Sequence, residues 1–164
     1  MESIQKIISL QSIRSFKSKK IDENILINIL EAGRHAPSVH NIQPWHFVVV
    51  LDKEIKNELS KGQARFIEES AFIVVGCSDP HESPRWHEIE VAIAIQNMVL
   101  AAWIQGIGSC WVELGNEEKI RKILGIPDKL KIVSLVAFGY PDKIPKQTWK
   151  KPMSEIVHYN NFKN

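Results

Sequence analysis

The chain has few cysteines, little net charge and no long apolar run, and each shortage excludes a class of protein. Its 164 residues include two cysteines, Cys77 and Cys110, both within apolar stretches, so neither a disulfide scaffold nor a cysteine-based zinc site is expected. The formal net charge of +2 is too small to argue for a nucleic-acid partner. The longest nearly apolar stretch, 91–104, contains two amides and is too short to span a bilayer, so no membrane partner is expected.

Several sequence motifs are also missing. No charged N-terminal region precedes a continuous apolar core, so we expect no secretory signal, and the two thiols favour a reducing, cytoplasmic location. Without a Gly-x-Gly-x-x-Gly, Walker or Gly-x-Ser-x-Gly motif, neither a dedicated dinucleotide domain nor a hydrolase nucleophile is expected. The histidines and acids of 81–90 do not complete a ligand set, so we predict no metal site. A composition of 44% hydrophobic and 24% charged residues is typical of one globular domain, spanning 1–164.

The hydrophobic periodicity predicts an α+β domain in which helices flank a mixed sheet. Amphipathic or apolar helical patterns cover 2–10, a segment beginning after Asp22, 54–69 with a break at Gly62, 87–105, and a segment from Asn116 to about Gly125. Buried strands are predicted at 46–51, 71–77, 109–112 and 132–138. The tail after Pro141 is predicted to be largely irregular.

The helix predicted over 87–105 is unusual because it is apolar almost all round from Val91 onward. Only Gln96 and Asn97 interrupt this stretch. A helix that is apolar on every side has to be buried on every side. Since a domain of this size would struggle to cover it, a second subunit is one way to complete its burial, and we predict a homodimer.

A polar loop at 36–45 joins the second helical pattern to the first strand. Ser38, Asn41 and Gln43 offer hydrogen-bonding groups, while Pro37 and Pro44 stiffen the backbone. Loops of this kind on a rigid scaffold often carry binding sites. An ordinary helix-to-strand connection explains the same residues about equally well.

Six landmarks in order make the sequence resemble the nitroreductase family of FMN-dependent oxidoreductases. They extend from residue 12 to residue 157 and therefore cover nearly the whole chain. They are Ser12-Ile13-Arg14-Ser15-Phe16, the Ala36–Trp45 segment APSVHNIQPW, Gln96–Ala102 (QNMVLAA), Gly106–Trp111 (GIGSCW), the pair LGIP at 124–127 and FGYP at 138–141, and Lys150–Val157 (KKPMSEIV).

The resemblance implies an intertwined homodimer with non-covalent FMN, transient NAD(P)H, and a quinone, nitroaromatic or similar small molecule as electron acceptor. Arg14 would lie near flavin N1 and O2, and Ser12 would contact the phosphate or ribityl chain. The backbone of 111–114 would lie against the ring, with an N–H directed at N5, the atom that carries the chemistry. The full cofactor-binding set is Gln11, Ser12, Arg14, Pro37, Ser38, Val39, Asn41, Trp111, Val112, Glu113, Leu114 and Lys150. In the family, Pro37, Ser38 and Asn41 would come from one subunit and Ser12 and Arg14 from the other.

Each of these residues also has an ordinary structural explanation. Arg14 could make a surface salt bridge, Ser12 could cap a helix, and Trp111 could pack in the core. The sequence departs from the family pattern at Leu10 and Gln11, where two arginines are usual, and Lys150 stands in place of a phosphate-binding arginine. These departures predict weak phosphate binding and motivate an alternative hypothesis, a binding or regulatory module with little or no flavin on the same fold.

Overall fold

The computed structural model describes residues 2–61 and 65–162, with the side chains of residues 2 and 3 left aside. Four strands occur in these ranges: β1 (Trp45–Val50), β2 (Phe72–Ser78), β3 (Gly108–Val112) and β4 (Lys131–Gly139). Seven α-helices accompany them: α1 (Glu2–Ile8), α2 (Glu23–Arg34), α3 (Lys53–Ser60), α4 (Phe66–Glu69), α5 (His87–Ile104), α6 (Glu117–Leu124) and α7 (Met153–Ile156). Every element predicted from the sequence is present within one to three residues of its expected bounds. The expected helical break falls between α3 and α4, although Gly62 itself lies outside the described residues.

The strands form one sheet in the order β1-β2-β4-β3. All three strand pairs are antiparallel, so the mixed sheet predicted from the sequence is corrected to an antiparallel one. The only parallel pairing in the described ranges is a single bridge between Ser12 and Ser109. Each connection between consecutive strands contains at least one helix: α3 and α4 between β1 and β2, α5 between β2 and β3, and α6 between β3 and β4.

Two hydrophobic layers cover the two faces of this sheet, which confirms the predicted α+β class. Along β2, Phe72 and Val74 face a cluster formed with α2 and α5, whereas Ile73, Val75 and Cys77 face a cluster formed with α3, α4 and α6. All seven residues of β2 are buried, because a central strand covered on both faces has no solvent side.

Local sequence signals set the helix ends as expected. The Asp22 carboxylate accepts from the backbone N–H of Asn24 at 2.9 Å and caps α2. The Asn116 side chain accepts from the N–H of Lys119 at 2.9 Å and caps α6. Gly125 ends α6 with a φ of 63°, a conformation that glycine adopts without steric cost.

Helix α5 is the longest of the described helices, and one chain does not cover all of it. Its inner side is buried against the sheet and α2, but Ile89, Ile93 and Ile104 are 51%, 38% and 55% exposed. Large apolar side chains are also exposed along α1 and the C-terminal segment: Ile4, Ile7, Ile8, Ile144, Trp149, Met153, Ile156, Tyr159 and Phe162. None of the helices in the described ranges has the length and hydropathy that a bilayer crossing requires.

Candidate functional site

The N-terminal segment 11–16 is attached along the outer edge of the sheet by two buried apolar side chains. Ile13 and Phe16 are buried in a small cluster with Ala137, and the N–H of Ile13 donates to the Ser109 carbonyl at 2.8 Å. Since neighbouring residues of an extended segment point to opposite sides, Ser12 and Arg14 are left on the exposed side. The sequence thus uses two apolar anchors to present two polar side chains.

Close approach of this segment requires a glycine at position 108. A Cβ built on Gly108 would lie 2.5 Å from the Ile13 Cγ1 atom, well inside van der Waals contact. Any larger residue would push segment 11–16 away from β3. The glycine-rich turn after α5 is therefore what allows Ser12 and Arg14 to stand next to β3.

A cavity of about 460 Å³ lies beside this segment, at the β3 edge of the sheet. It is lined by side chains from four parts of the chain: Leu10, Gln11, Ser12 and Arg14; Gln96 and Val99 of α5; Ser109 and Trp111 of β3; and Pro145, Thr148 and Lys150 of the C-terminal segment. Its volume is in the usual range for small-molecule and cofactor sites.

The charge of the cavity is positive. Arg14 and Lys150 are its two ionised side chains, no carboxylate lines it, and neither cation forms an ion pair within the described ranges. Neutral hydroxyl and amide groups accompany apolar surface from Val99 and Trp111. This donor set fits a ligand with both an anionic group and a flat apolar part, and FMN is such a ligand. Across 2–61 and 65–162, no three His, Cys, Asp or Glu side chains lie close enough to hold a metal ion.

Gln11 in the cavity lining and Cys110 beside it are both buried. Gln11 is only 9% exposed, and its amide donates to the carbonyl of Leu10 at 2.8 Å, so it is folded back on its own backbone. Burial raises the pKa of the Cys110 thiol, although the charge of Arg14 and a hydrogen bond with Ser12 oppose this effect. Cys110 is therefore a neutral thiol under the cavity and has no reactive thiolate.

The loop residues predicted to bind the cofactor do not line this cavity. The loop leads into the start of β1, at the opposite edge of the sheet, where Trp45 pairs with Ser78. Ser109 of β3 pairs with Phe138 of β4, and Phe138 pairs with Phe72, which lies at the other end of β2 from Ser78. From β1 to β3 there are three strand spacings, which separate Trp45 from Ser109 by roughly 14 Å across the sheet. The six residue steps from Phe72 to Ser78 separate them by roughly 20 Å more along the strand direction. Within one chain, Pro37, Ser38, Val39 and Asn41 are therefore absent from the cavity lining that contains Arg14.

The loop has a well-defined and strained conformation. His40, Asn41 and Gln43 have φ values of 51°, 58° and 56°, which are uncommon for residues other than glycine. The Ser38 hydroxyl accepts from the N–H of Gln43 at 2.9 Å, and the N–H of Val39 donates to the Glu90 carboxylate at 2.7 Å. Strained non-glycine residues concentrate at functional sites.

The side chains of segment 111–114 lie on both faces of the sheet. Trp111 lines the cavity, whereas the side chains of Val112 and Leu114 pack against the cluster on the opposite face. Glu113 is exposed and outside the cavity lining. Only the backbone of 112–114 therefore remains as the predicted contact surface.

The cavity also contains residues that sequence reasoning did not select. Leu10, Gln96, Val99, Ser109, Pro145 and Thr148 line it. Gln96 carried a usable signal, since it is one of two polar residues in the apolar part of α5. Thr148 and Pro145 carried none, because an irregular tail has no periodicity to place them.

Comparison with known proteins agrees with the fold and the motifs. The sequence pattern of the Nitroreductase family matches residues 9–74 and 59–140. A protein of Archaeoglobus fulgidus named "Putative NADH dehydrogenase/NAD(P)H nitroreductase" is 34% identical over 149 residues, which cover 85% of this chain and 86% of that protein.

Solved structures show the same similarity. An FMN-dependent nitroreductase from Clostridium difficile has a TM-score of 0.87 at 29% identity and covers 99% of this chain and 100% of its own. The NADPH:FMN oxidoreductase from Vibrio harveyi, complexed with NAD⁺, has a TM-score of 0.90 at 26% identity and covers 100% of this chain and 79% of its own. The chain described here belongs to the nitroreductase family of oxidoreductases.

Proposed function

We propose that the protein is an FMN-dependent oxidoreductase that passes electrons from NAD(P)H to a quinone, a nitroaromatic or a similar small acceptor. The observation that carries this proposal is the cavity at the β3 edge, which has an apolar side, no carboxylate, and two cations that form no ion pair within residues 2–61 and 65–162. Relatives named for FMN and for NAD(P)H support it. When bound, the flavin supplies a carrier of hydride and electrons between a nicotinamide and an acceptor, so the chain needs no nucleophile of its own.

Different cavity residues would contact different parts of FMN. Lys150 and the Ser12 hydroxyl, which both line the cavity, would hold the phosphate as a point charge and a neutral donor. Arg14 would stabilise the negative charge that a reduced ring carries around N1 and O2. Val99 and Trp111 supply an apolar surface for the ring, and Gln96 offers an amide beside it. Together these groups bind, orient and partly desolvate the cofactor.

We further propose that each site is completed by a second copy of the chain. The loop and the cavity lie at opposite edges of the sheet, and α5 leaves a row of isoleucines exposed. A second copy packed on α5 would cover this row and bring its loop, with Pro37, Ser38, Val39 and Asn41, to the cavity of the first. Sedimentation equilibrium at micromolar concentration should therefore give a dimer, and a stable monomer would contradict the proposal.

The shared site can be tested by mixing two defective chains. Arg14→Ala and Asn41→Ala should each weaken FMN binding in every site of their own homodimer. A heterodimer purified with two different tags would combine both changes in one site and leave the other site intact. FMN titration should then show one tight site per heterodimer. If both sites remain weak, the cavity and the loop of one chain act together and the shared-site proposal fails.

The activity itself is tested by titrating the purified protein with FMN and then reducing the complex anaerobically with NADH or NADPH. We expect quenching of FMN fluorescence on binding and loss of the visible flavin absorbance with at least one nicotinamide. The class of electron acceptor is then identified by comparing the rates at which quinones and nitroaromatics reoxidise the reduced flavin. A colourless protein that does not respond to added FMN would exclude this function.

The second candidate is a binding or regulatory module with weak or no flavin. Gln11 favours it, because a neutral amide bonded to its own backbone stands where the family carries a cation. The FMN titration separates the two functions directly. For location, we propose the cytoplasm, supported by two buried free thiols, and fractionation of the producing cells would test this.

A further inference from the structure

Glu90 is a buried acid on the apolar helix α5. The residue is 2% exposed, and one oxygen of its side chain accepts from the N–H of Val39 at 2.7 Å. The other oxygen is buried and has no hydrogen-bond partner in the described ranges, where no cation pairs with this carboxylate either. A buried carboxylate with one hydrogen bond is unfavourable for folding, so it calls for another explanation.

The bond to Val39 is the side-chain anchor of the strained loop. Within the loop, the N–H of Asn41 donates to the Ser38 carbonyl and the N–H of Gln43 donates to the Ser38 hydroxyl. At its far end, the Pro44 carbonyl accepts from the N–H of Asp79. The middle of the loop is therefore tied to the rest of the fold through Glu90.

The same helix reaches the cavity. Gln96 and Val99 follow Glu90 by roughly 1.7 and 2.5 turns of α5, or roughly 9 and 14 Å along the axis, and both line the cavity. One rigid element thus holds the loop at its N-terminal end and the floor of the cavity farther along. In the dimer proposed above, this helix sets the position of the loop relative to the second copy.

We propose that Glu90 is a positioning residue that holds loop 37–44 in the conformation that meets FMN in the cavity of the second copy. The proposal rests on the FMN-dependent function and shared site proposed above. The carboxylate acts through the backbone of Val39 and does not touch the cofactor. The buried carboxylate destabilises the fold, but without its bond to Val39 the loop would relax from its strained geometry.

Glu90→Leu and Glu90→Gln separate positioning from packing. Leucine removes the acceptor and the buried charge, so the melting temperature should stay or rise, while FMN binding weakens about tenfold through loss of the charge-assisted bond. Glutamine keeps an oxygen for Val39 and should restore FMN binding to within about twofold of the original. Ser134→Ala is the matched control, because the Ser134 hydroxyl is also buried without a hydrogen-bond partner in the described ranges, but it lies on β4, two strands away from β1, which the loop enters. It should leave FMN affinity unchanged.

A change on the donor side tests the same bond independently. Val39→Pro removes the N–H, and the extended backbone of Ser38 (φ −138°, ψ 157°) suits a residue before proline. It should weaken FMN binding about as much as Glu90→Leu, and the double variant should bind no worse than the weaker single one. This variant serves as the deciding test if Glu90→Leu does not fold.

Several outcomes would overturn the proposal. Unchanged FMN affinity in Glu90→Leu, additive losses in the double variant, or conversion of Glu90→Leu to a monomer would each show that the bond does not position the loop for the cofactor. Failure of the original protein to bind FMN would instead refute the proposed function. The two failures are therefore distinguishable.

Discussion

Replacing Gln11 with arginine should tighten FMN binding by restoring a cation to the cavity. Gln11 is nearly buried, lines the cavity next to Ser12, and uses its amide on the carbonyl of Leu10. An arginine at this position has the length to leave that carbonyl and reach into the cavity. We expect it to bind the phosphate with a planar, bidentate donor set, which Lys150 lacks.

The size of the gain follows from two opposing contributions. A new charge-assisted hydrogen bond contributes about 1.5–3 kcal/mol, while the lost amide-to-carbonyl bond costs about 0.5–1.5 kcal/mol. Repulsion from Arg14 and Lys150 reduces the sum, so we expect a net gain of about 1 kcal/mol, which corresponds to a roughly fivefold lower Kd.

Fluorescence titration with FMN and with riboflavin measures this effect. FMN should bind more tightly to Gln11→Arg at 0.1 M salt, and the advantage should shrink at 1 M salt, where the Debye length falls from about 10 Å to about 3 Å. Riboflavin has no phosphate and should show no gain. Gln5→Arg adds the same charge on exposed α1, outside the cavity lining, and should do nothing. Equal gains for FMN and riboflavin, or no gain for either, would refute the placement of the phosphate.

Three further predictions follow from the same structure. Lys150→Ala should weaken FMN binding and flatten its dependence on salt, as measured by titration from 0.05 to about 1 M salt; an unchanged salt dependence would remove Lys150 from the phosphate site. Arg14→Ala should destabilise reduced FMN by about 1.5–3 kcal/mol more than oxidised FMN, so the bound flavin's potential should fall and its reduction should slow, whereas equal weakening of both forms would contradict the assignment. The backbone N–H of His81 and then the ammonium of Lys129 lower the pKa of Asp79, so its charge stabilises the fold above the ordinary pKa of about 4, and this contribution is lost as the pH falls through the lowered value. Asp79→Asn should therefore lower the free energy of unfolding in urea at pH 7, and the difference should close toward pH 3; a difference that is independent of pH would contradict this.

The sequence alone determined the class of the fold and nearly all of its elements. Strong β-forming runs and clear cap residues such as Asp22 and Asn116 act over a few residues, so their effect does not depend on the rest of the chain. The order of six short motifs was also enough to indicate the family. The helix-to-sheet arrangement followed because each element has apolar residues that must be covered.

Tertiary structure decided how the strands pair and which predicted residues can meet. Strand direction depends on the path of each connection, and the antiparallel order β1-β2-β4-β3 could not be obtained from local periodicity. That order places the loop and Arg14 at opposite edges, although both belong to the same predicted site. It also divides Trp111 from Val112, since neighbouring strand residues face opposite sides of the sheet. The bond between Glu90 and Val39 spans 51 residues of sequence, and only the packing of the loop against α5 brings its two ends together.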